Sequence, residues 1–324
     1  MTSHAIRQYE FGPAEKLLFE EVRAPVPGPG QVRVAVAAAG VHLIDTTIRR
    51  GVEGGPFPLP ALPMTPGREV AGVVDVLGAD VPAEWSGRRV VAHLGQASGG
   101  YAESVVANVA SLHEIPPDLS FADAVAMIGT GRTVFAVLDV AQVRADDVVL
   151  VSAAAGGMGS LLVQAAKNAG AFVVGLAGGA EKVELVRGLG ADVAVDYRVP
   201  DWPQRVERPV TLVLDGVGGE SGRQAFELLA PGGRIVLYGA SGGFDFTKIT
   251  TADLFTRGVS ATAAIGPRIM ARPGGVRDFE TLSLAAAGRG ELRPLTSTFP
   301  LAKAAEAHRA LEARETVGKV VLVA

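Results

Sequence analysis

The chain contains no cysteine. That one absence excludes disulfides, thiolate-held zinc and cysteine nucleophiles together. An excess of positive charge is missing too. Thirty Lys and Arg stand against 34 Asp and Glu, for a net charge of −4, which leaves no electrostatic footprint for nucleic acid. No apolar run reaches membrane-spanning length without glycines or charges inside it. The opening residues, MTSHAIRQYEF, match neither a signal peptide nor a transit peptide. These absences predict a soluble, cytoplasmic protein with neither nucleic acid nor membrane as a partner. The five histidines (His4, His42, His93, His113, His308) include no pair at i,i+3 or i,i+4, so a helical metal site is not expected.

What is present is ample core material. Hydrophobic residues make up 48% of the chain and charged residues 20%. At 324 residues, two domains are expected. Residues 1 to 110 read as mostly β, with short strands at Ala5–Tyr9, Leu17–Val22, Gln31–Ala37, Val70–Leu77 and Arg88–Ala92 between Gly/Pro turns. Gly40–Arg50 reads as a loop entering a short helix. From Phe121 the period changes. Ser120 and Asp123 fit the cap of a helix through Ala126, and Thr133–Ala141 forms another. Strands at Val148–Val151, Phe172–Leu176, Val193–Val195, Val210–Leu214 and Arg234–Tyr238 then alternate with helical stretches at Glu181–Gly190 and Ser221–Leu229, which predicts a parallel doubly wound sheet. Phe279–Ala287 and Leu301–Leu311 read as helices. The last strand, Lys319–Val323, is expected to return to the first sheet.

The densest signal is Val148–Ala169, an apolar strand, a small-residue turn and an amphipathic helix. A helix N-terminus offers unpaired N–H groups and a positive dipole end to a diphosphate. Gly156 and Gly157 allow close backbone approach, Met158 lies between them and Gly159, and Gly159 allows tight packing of helix on strand. Ala153 replaces the usual first glycine, so the form is A-x-x-G-x-x-G. The turn alone is equally compatible with a βα connection that binds nothing. The elements on either side favour a nucleotide.

The longer motifs carry a resemblance. GVHLIDTTIRRG (40–51), TPGREVAGVV (65–74), GGYAES (99–104), AAAGGMGSLLVQAAKNAGA (153–171), EKVELVRGLGADVAVDYR (181–198), DGVGG (215–219) and PLAKAAEAHRALEARETVGKVVL (300–322) span almost the whole length. The chain resembles the zinc-independent quinone oxidoreductases (zeta-crystallin-like) of the medium-chain dehydrogenase/reductase superfamily. The resemblance implies an α/β fold: a Rossmann doubly wound parallel sheet domain, residues 123–266, and a discontinuous GroES-like β-barrel catalytic domain, residues 1–122 and 267–324. It implies an active site between them, NADPH as cofactor, a quinone or enone as substrate, and a homodimer pairing through Ser260–Ile265. Zinc enzymes of the superfamily place cysteines and a histidine before a glutamate. Here cysteine is absent and Arg68 precedes Glu69.

An NAD site usually carries an acid at the end of the second strand. That end here is Leu176-Ala177-Gly178-Gly179, with none. The resemblance places Lys182 and Tyr197 at the adenosine phosphate, Gly178 beside them, Gly216 at the adenosine ribose, and Thr133 with Gly239-Ala240-Ser241 around the nicotinamide. Taken alone, Lys182 reads as a solvated lysine in a helix's first turn. Together with the missing acid it favours NADPH. His42 and Thr47 stand where relatives usually have asparagine and tyrosine. His42 is a candidate donor of a hydrogen bond or proton to a quinone oxygen, and Thr47 is expected to widen the pocket towards bulkier acceptors. A polar loop cap is the plainer reading of His42, and Asp45 also fits a helix cap. Reduction of an enone or alkenal C=C bond is the alternative within the same chemistry. A low-turnover nucleotide-binding structural or RNA-binding protein is the alternative from another class.

Overall fold

Alternating apolar and polar side chains build the first third of the chain, as seen in a computed structural model that describes residues 2–53, 58–95, 98–243, 245–272 and 274–324. β1 (Thr2–Arg7) and β2 (Leu18–Arg23) pair as an antiparallel ribbon. β3 (Gln31–Val41) runs antiparallel to both β4 (Glu69–Leu77) and β6 (Ser104–Asn108). β5 (Arg89–His93) joins β4 to β7 (Leu112–Glu114). Register shifts at Arg33/Val34 and Val36/Ala38 mark bulges that bend β3. α1 (Leu43–Arg50) follows β3 and stops at Gly51, whose φ of 74° is left-handed. α2 (Phe121–Ala126) begins at Ser120, whose hydroxyl accepts the Asp123 N–H at 3.0 Å, as the sequence predicts. It continues through a π-helical stretch, Met127–Gly131.

The middle of the chain runs α3 (Arg132–Ala141), β8 (Val148–Val151), α4 (Gly157–Asn168), β9 (Phe172–Ala177), α5 (Ala180–Gly188), β10 (Val193–Asp196), β11 (Val210–Asp215), α6 (Gly219–Glu227), β12 (Leu229–Leu237), α7 (Thr251–Arg257), β13 (Ser260–Ala263), α8 (Pro267–Met270) and α9 (Gly275–Gly288). The six strands are parallel, in the order β10-β9-β8-β11-β12-β13. Counted from β8 this is the dinucleotide-binding order, with its switch point between β8 and β11. Leu150, Val174, Val213, Phe226 and Ile235 anchor the core of this unit. β13 is an edge strand.

The chain then returns to the first sheet. β14 (Thr296–Pro300) is parallel to β15 (Lys319–Val323), and β15 is antiparallel to β3, with Val321 opposite Gly40. α10 (Ala304–Glu312) connects them. Val34, Val70, Tyr101, Leu112 and Val320 lie in this unit's core.

Two compact units result, one of residues 1–130 with 294–324 and one of 131–293. The breaks fall at Thr130 and Arg293, where residues 122 and 266 are expected from sequence. α2 packs on β3 and β4, which keeps it with the first unit, and α9 packs on α3, which keeps it with the second. Smaller differences are local. The first strand forms at Thr2–Arg7, because Gln8 leaves the ribbon to exchange backbone hydrogen bonds with Met64, both 2.9 Å. β12 begins at Leu229, five residues early, because Leu229 pairs with Val210 before a register shift that leads to the Leu212–Arg234 pairing. The expected helix from Leu301 opens as a 3₁₀ turn, Leu301–Lys303. The helical run 121–141 has the length and composition to cross a membrane, but most of its apolar window is buried inside the protein.

Candidate active site

In the second unit, β8 delivers the chain to Ala153, which adopts a left-handed φ of 47°. A residue with a Cβ costs about 1–2 kcal/mol there, which explains why glycine is the usual choice. A Cβ at Gly159 would overlap the Ala153 carbonyl, so only glycine lets α4 start so close to the turn. The N-cap of α4 is Gly156, which offers no side chain to the first-turn N–H groups of Gly157, Met158 and Gly159. Main-chain donors aimed outward at a positive dipole end suit a diphosphate.

The loops after β11 and β12 are joined to one another. Ser241 N–H donates to Gly216 O at 3.0 Å and Gly242 N–H to Val217 O at 2.9 Å, so Gly216 and the Gly239–Ser241 loop lie side by side, where the resemblance puts Gly216 at the adenosine ribose and the loop at the nicotinamide. Asp215, fully buried, pins this arrangement. It accepts from Ser152 Oγ at 3.1 Å, Thr247 Oγ1 at 2.6 Å and Val217 N–H at 2.9 Å. Thr133 stands in the first turn of α3, which packs on β12. Asp215, Ser152 and Thr247 were not singled out by the sequence, which shows no partner for them.

At the end of β9, Gly178 lies against the Tyr197 hydroxyl and Gly179 against the Arg198 guanidinium. Lys182, half-buried, is the third residue of α5. β9 itself ends without an acid, but Asp196 at the end of β10 is the register partner of Ala177. Arg198 holds that carboxylate through Nε at 3.1 Å and Nη2 at 3.0 Å, and its backbone N–H adds a third bond at 3.0 Å. The Arg198 side-chain hydrogen bonds outweigh partial burial and, with backbone donors of Arg198 and Gly179, lower Asp196 to about 2.

In the first unit, Glu69 is fully buried at the start of β4. Its Oε1 is 2.7 Å from His42 Nε2 and its Oε2 is 2.9 Å from Lys319 Nζ, while Lys319 Nζ lies 2.8 Å from His42 Nε2. A Cβ at Gly40 or at Gly129 would overlap the carboxylate, so two glycines, one from β3 and one from the π-helical stretch, make its cradle. Burial is the largest single influence and opposes ionisation. The charges of His42 and Lys319, the His42 hydrogen bond and the charge of His93 together outweigh it and hold the carboxyl well below the usual range. The Glu69 and Lys319 side chains are 0% and 5% exposed and that of His42 is 28%, so His42 is the member that solvent reaches.

Asp45 caps α1. Its Oδ2 accepts the His42 N–H at 2.8 Å and the Tyr101 hydroxyl at 3.0 Å. Tyr101 has one proton, so the 3.2 Å contact to His308 Nε2 requires that nitrogen to donate. Burial lowers His308 to about 4, with Asp45 opposing and Arg49 adding to the shift. Asp45 therefore acts as a cap and an anchor for Tyr101. Thr47 is buried within α1, 3% exposed. Glu69, Lys319, Tyr101 and His308 were not assigned roles from sequence, although each lies inside a quoted motif.

Residues 28–117 match the family described as alcohol dehydrogenase GroES-like domain, and residues 189–322 match zinc-binding dehydrogenase. Quinone oxidoreductase of Mus musculus is 32% identical over 332 residues, covering 98% of this chain and 97% of that protein. The chain belongs to the medium-chain dehydrogenase/reductase superfamily, among its quinone oxidoreductases. A 2-haloacrylate reductase of Burkholderia sp. is 31% identical over 335 residues, covering 100% of this chain and 99% of that one. Among solved structures, quinone oxidoreductase of Escherichia coli complexed with NADPH superposes with a TM-score of 0.86 at 28% identity over 100% of both chains. The GroES-like match lies within the first unit, and the zinc-binding dehydrogenase match runs from the second unit into the returning segment of the first.

Proposed function

We propose that this protein is an NADPH-dependent oxidoreductase that transfers hydride to a quinone without a metal. The observation that carries the reading is the seat at the carboxyl ends of β8, β11 and β12. It combines an α4 start with no side-chain cap, the close approach at Gly159 and the joined Gly216 and Gly239–Ser241 loops. The quinone oxidoreductases among the relatives, and the NADPH in the Escherichia coli structure, support the acceptor and the cofactor.

NADPH, when bound, supplies the hydride. Gly156–Gly159 would hold its diphosphate, Tyr197 and Lys182 its adenosine phosphate, and Thr133 with the Gly239–Ser241 loop its nicotinamide end. His42 protonates the acceptor oxygen as it gains electrons, and its partial exposure lets solvent restore the proton. Glu69 orients the imidazole by accepting from its Nε2. This chain's own groups support metal independence. No cysteine is present, Arg68 stands before Glu69, and the Lys319 ammonium occupies the Glu69 oxygen a cation would need.

The 2-haloacrylate reductase favours a second reading, reduction of an activated C=C bond, which also requires a proton after the hydride. A quinone and an enone offered in parallel, followed by loss of the reduced-nicotinamide absorbance, separate the two. Uptake of nucleotide with no acceptor-dependent oxidation would instead favour a structural or RNA-binding role, against which the net charge of −4 speaks. The protein is further assigned to the cytoplasm as a homodimer. Edge strand β13, the exposed Phe255 within α7 and the exposed Phe246 preceding that helix support pairing with a second copy.

A further inference from the structure

Building on the NADPH reading above, we propose that Arg198 sets the choice between NADPH and NADH, by masking the Asp196 carboxylate and presenting its remaining donors to the cofactor's 2′-phosphate. The end of the second strand is where this fold meets the adenosine ribose, and an acid there selects NAD by holding the ribose hydroxyls. β9 carries no acid, but Asp196 enters the same place from β10, in register with Ala177. Left alone, that carboxylate would repel a phosphate dianion and accept from a ribose hydroxyl.

It is not left alone. Nε and Nη2 of Arg198 grip both its oxygens. A guanidinium has five N–H donors in a flat fork, so this grip leaves the Nη1 side for a second anion. The fork is also aimed. A Cβ at Gly179 would lie 2.6 Å from Nη2 and 3.2 Å from Nη1, so the guanidinium plane rests on the turn between β9 and α5. On the other side of that turn, the Tyr197 hydroxyl would meet a Cβ at Gly178 at 2.8 Å. Side chains at either glycine would push both groups away. The Arg198 side chain is 61% exposed, and an exposed ion pair contributes little to stability. Its geometry is better explained by a ligand than by the fold.

Arg198→Ala, Asp196→Asn and the double variant, each shown by thermal melting to remain folded, are titrated calorimetrically with NADPH and NADH. The fragments 2′,5′-ADP and 5′-AMP serve as probes of the phosphate alone. Losing a charge-assisted bond while exposing a carboxylate should weaken NADPH and 2′,5′-ADP about 10- to 100-fold for Arg198→Ala. NADH and 5′-AMP should stay within about threefold or tighten. The double variant should recover a measurable part of the NADPH affinity that Arg198→Ala loses, because the repelling charge is gone. Equal weakening of both nucleotides, or a double variant no better than Arg198→Ala, overturns the proposal while leaving the function intact. A wild-type chain that takes up neither nucleotide overturns the function and this inference together.

Discussion

Lys319 Nζ stands 2.9 Å from Glu69 Oε2 at a point where neither side chain meets solvent, joining the last strand of the chain to the start of β4. Removing one partner of such a pair strands a buried charge. Lys319→Met should lower unfolding free energy by about 3–5 kcal/mol in denaturant titration. A loss within the error of the measurement would mean that the pair has no structural weight. The same pair gives an acid dependence. Glu69 ionises below its unfolded value, so its contribution is present above the ordinary carboxylate range and fades as pH falls through the lowered value.

His42 shares that carboxylate and is the proton donor proposed here. His42→Ala should lower kcat for a quinone about 100-fold and leave NADPH affinity unchanged. An unchanged kcat would return His42 to the part of a loop cap.

His308 predicts a second pH effect, of separate origin. Its folded value, about 4, lies below the unfolded 6.5, so the unfolded chain binds the extra proton first. Stability should therefore fall as pH drops from 6.5 towards 4, by roughly 3 kcal/mol in total. His308→Gln should flatten that window. If the slope between these limits is the same in both proteins, the buried neutral imidazole is not its source.

The proposed homodimer rests on an open strand edge and on Phe255, which is 90% exposed. Gel filtration at micromolar concentration should give a dimer, and Phe255→Glu should shift it towards monomer. A monomeric wild type would remove the dimer from the account.

Local chemistry made much of this legible in the sequence. The Ser120–Asp123 cap, the β8 turn and α4, and the KVVLV strand all form where their neighbours in sequence predict. What was not legible depends on contacts far apart along the chain. Glu69 meets Lys319 across 250 residues (319 less 69), and Tyr101 meets His308 across 207. Asp215 looks like any strand-end acid until Ser152 and Thr247 converge on it. The unit boundary moved for the same reason, since α9 belongs with α3 by packing that no local pattern reveals. At β9 the missing acid was read correctly, but Asp196 on the neighbouring strand came into view only with the sheet register.

Titration calorimetry of the intact protein with NADPH and NADH tests the central claim most directly. The account predicts uptake of one NADPH per chain, with NADPH bound more tightly than NADH, followed by oxidation when a quinone is added. No uptake of either nucleotide would contradict it.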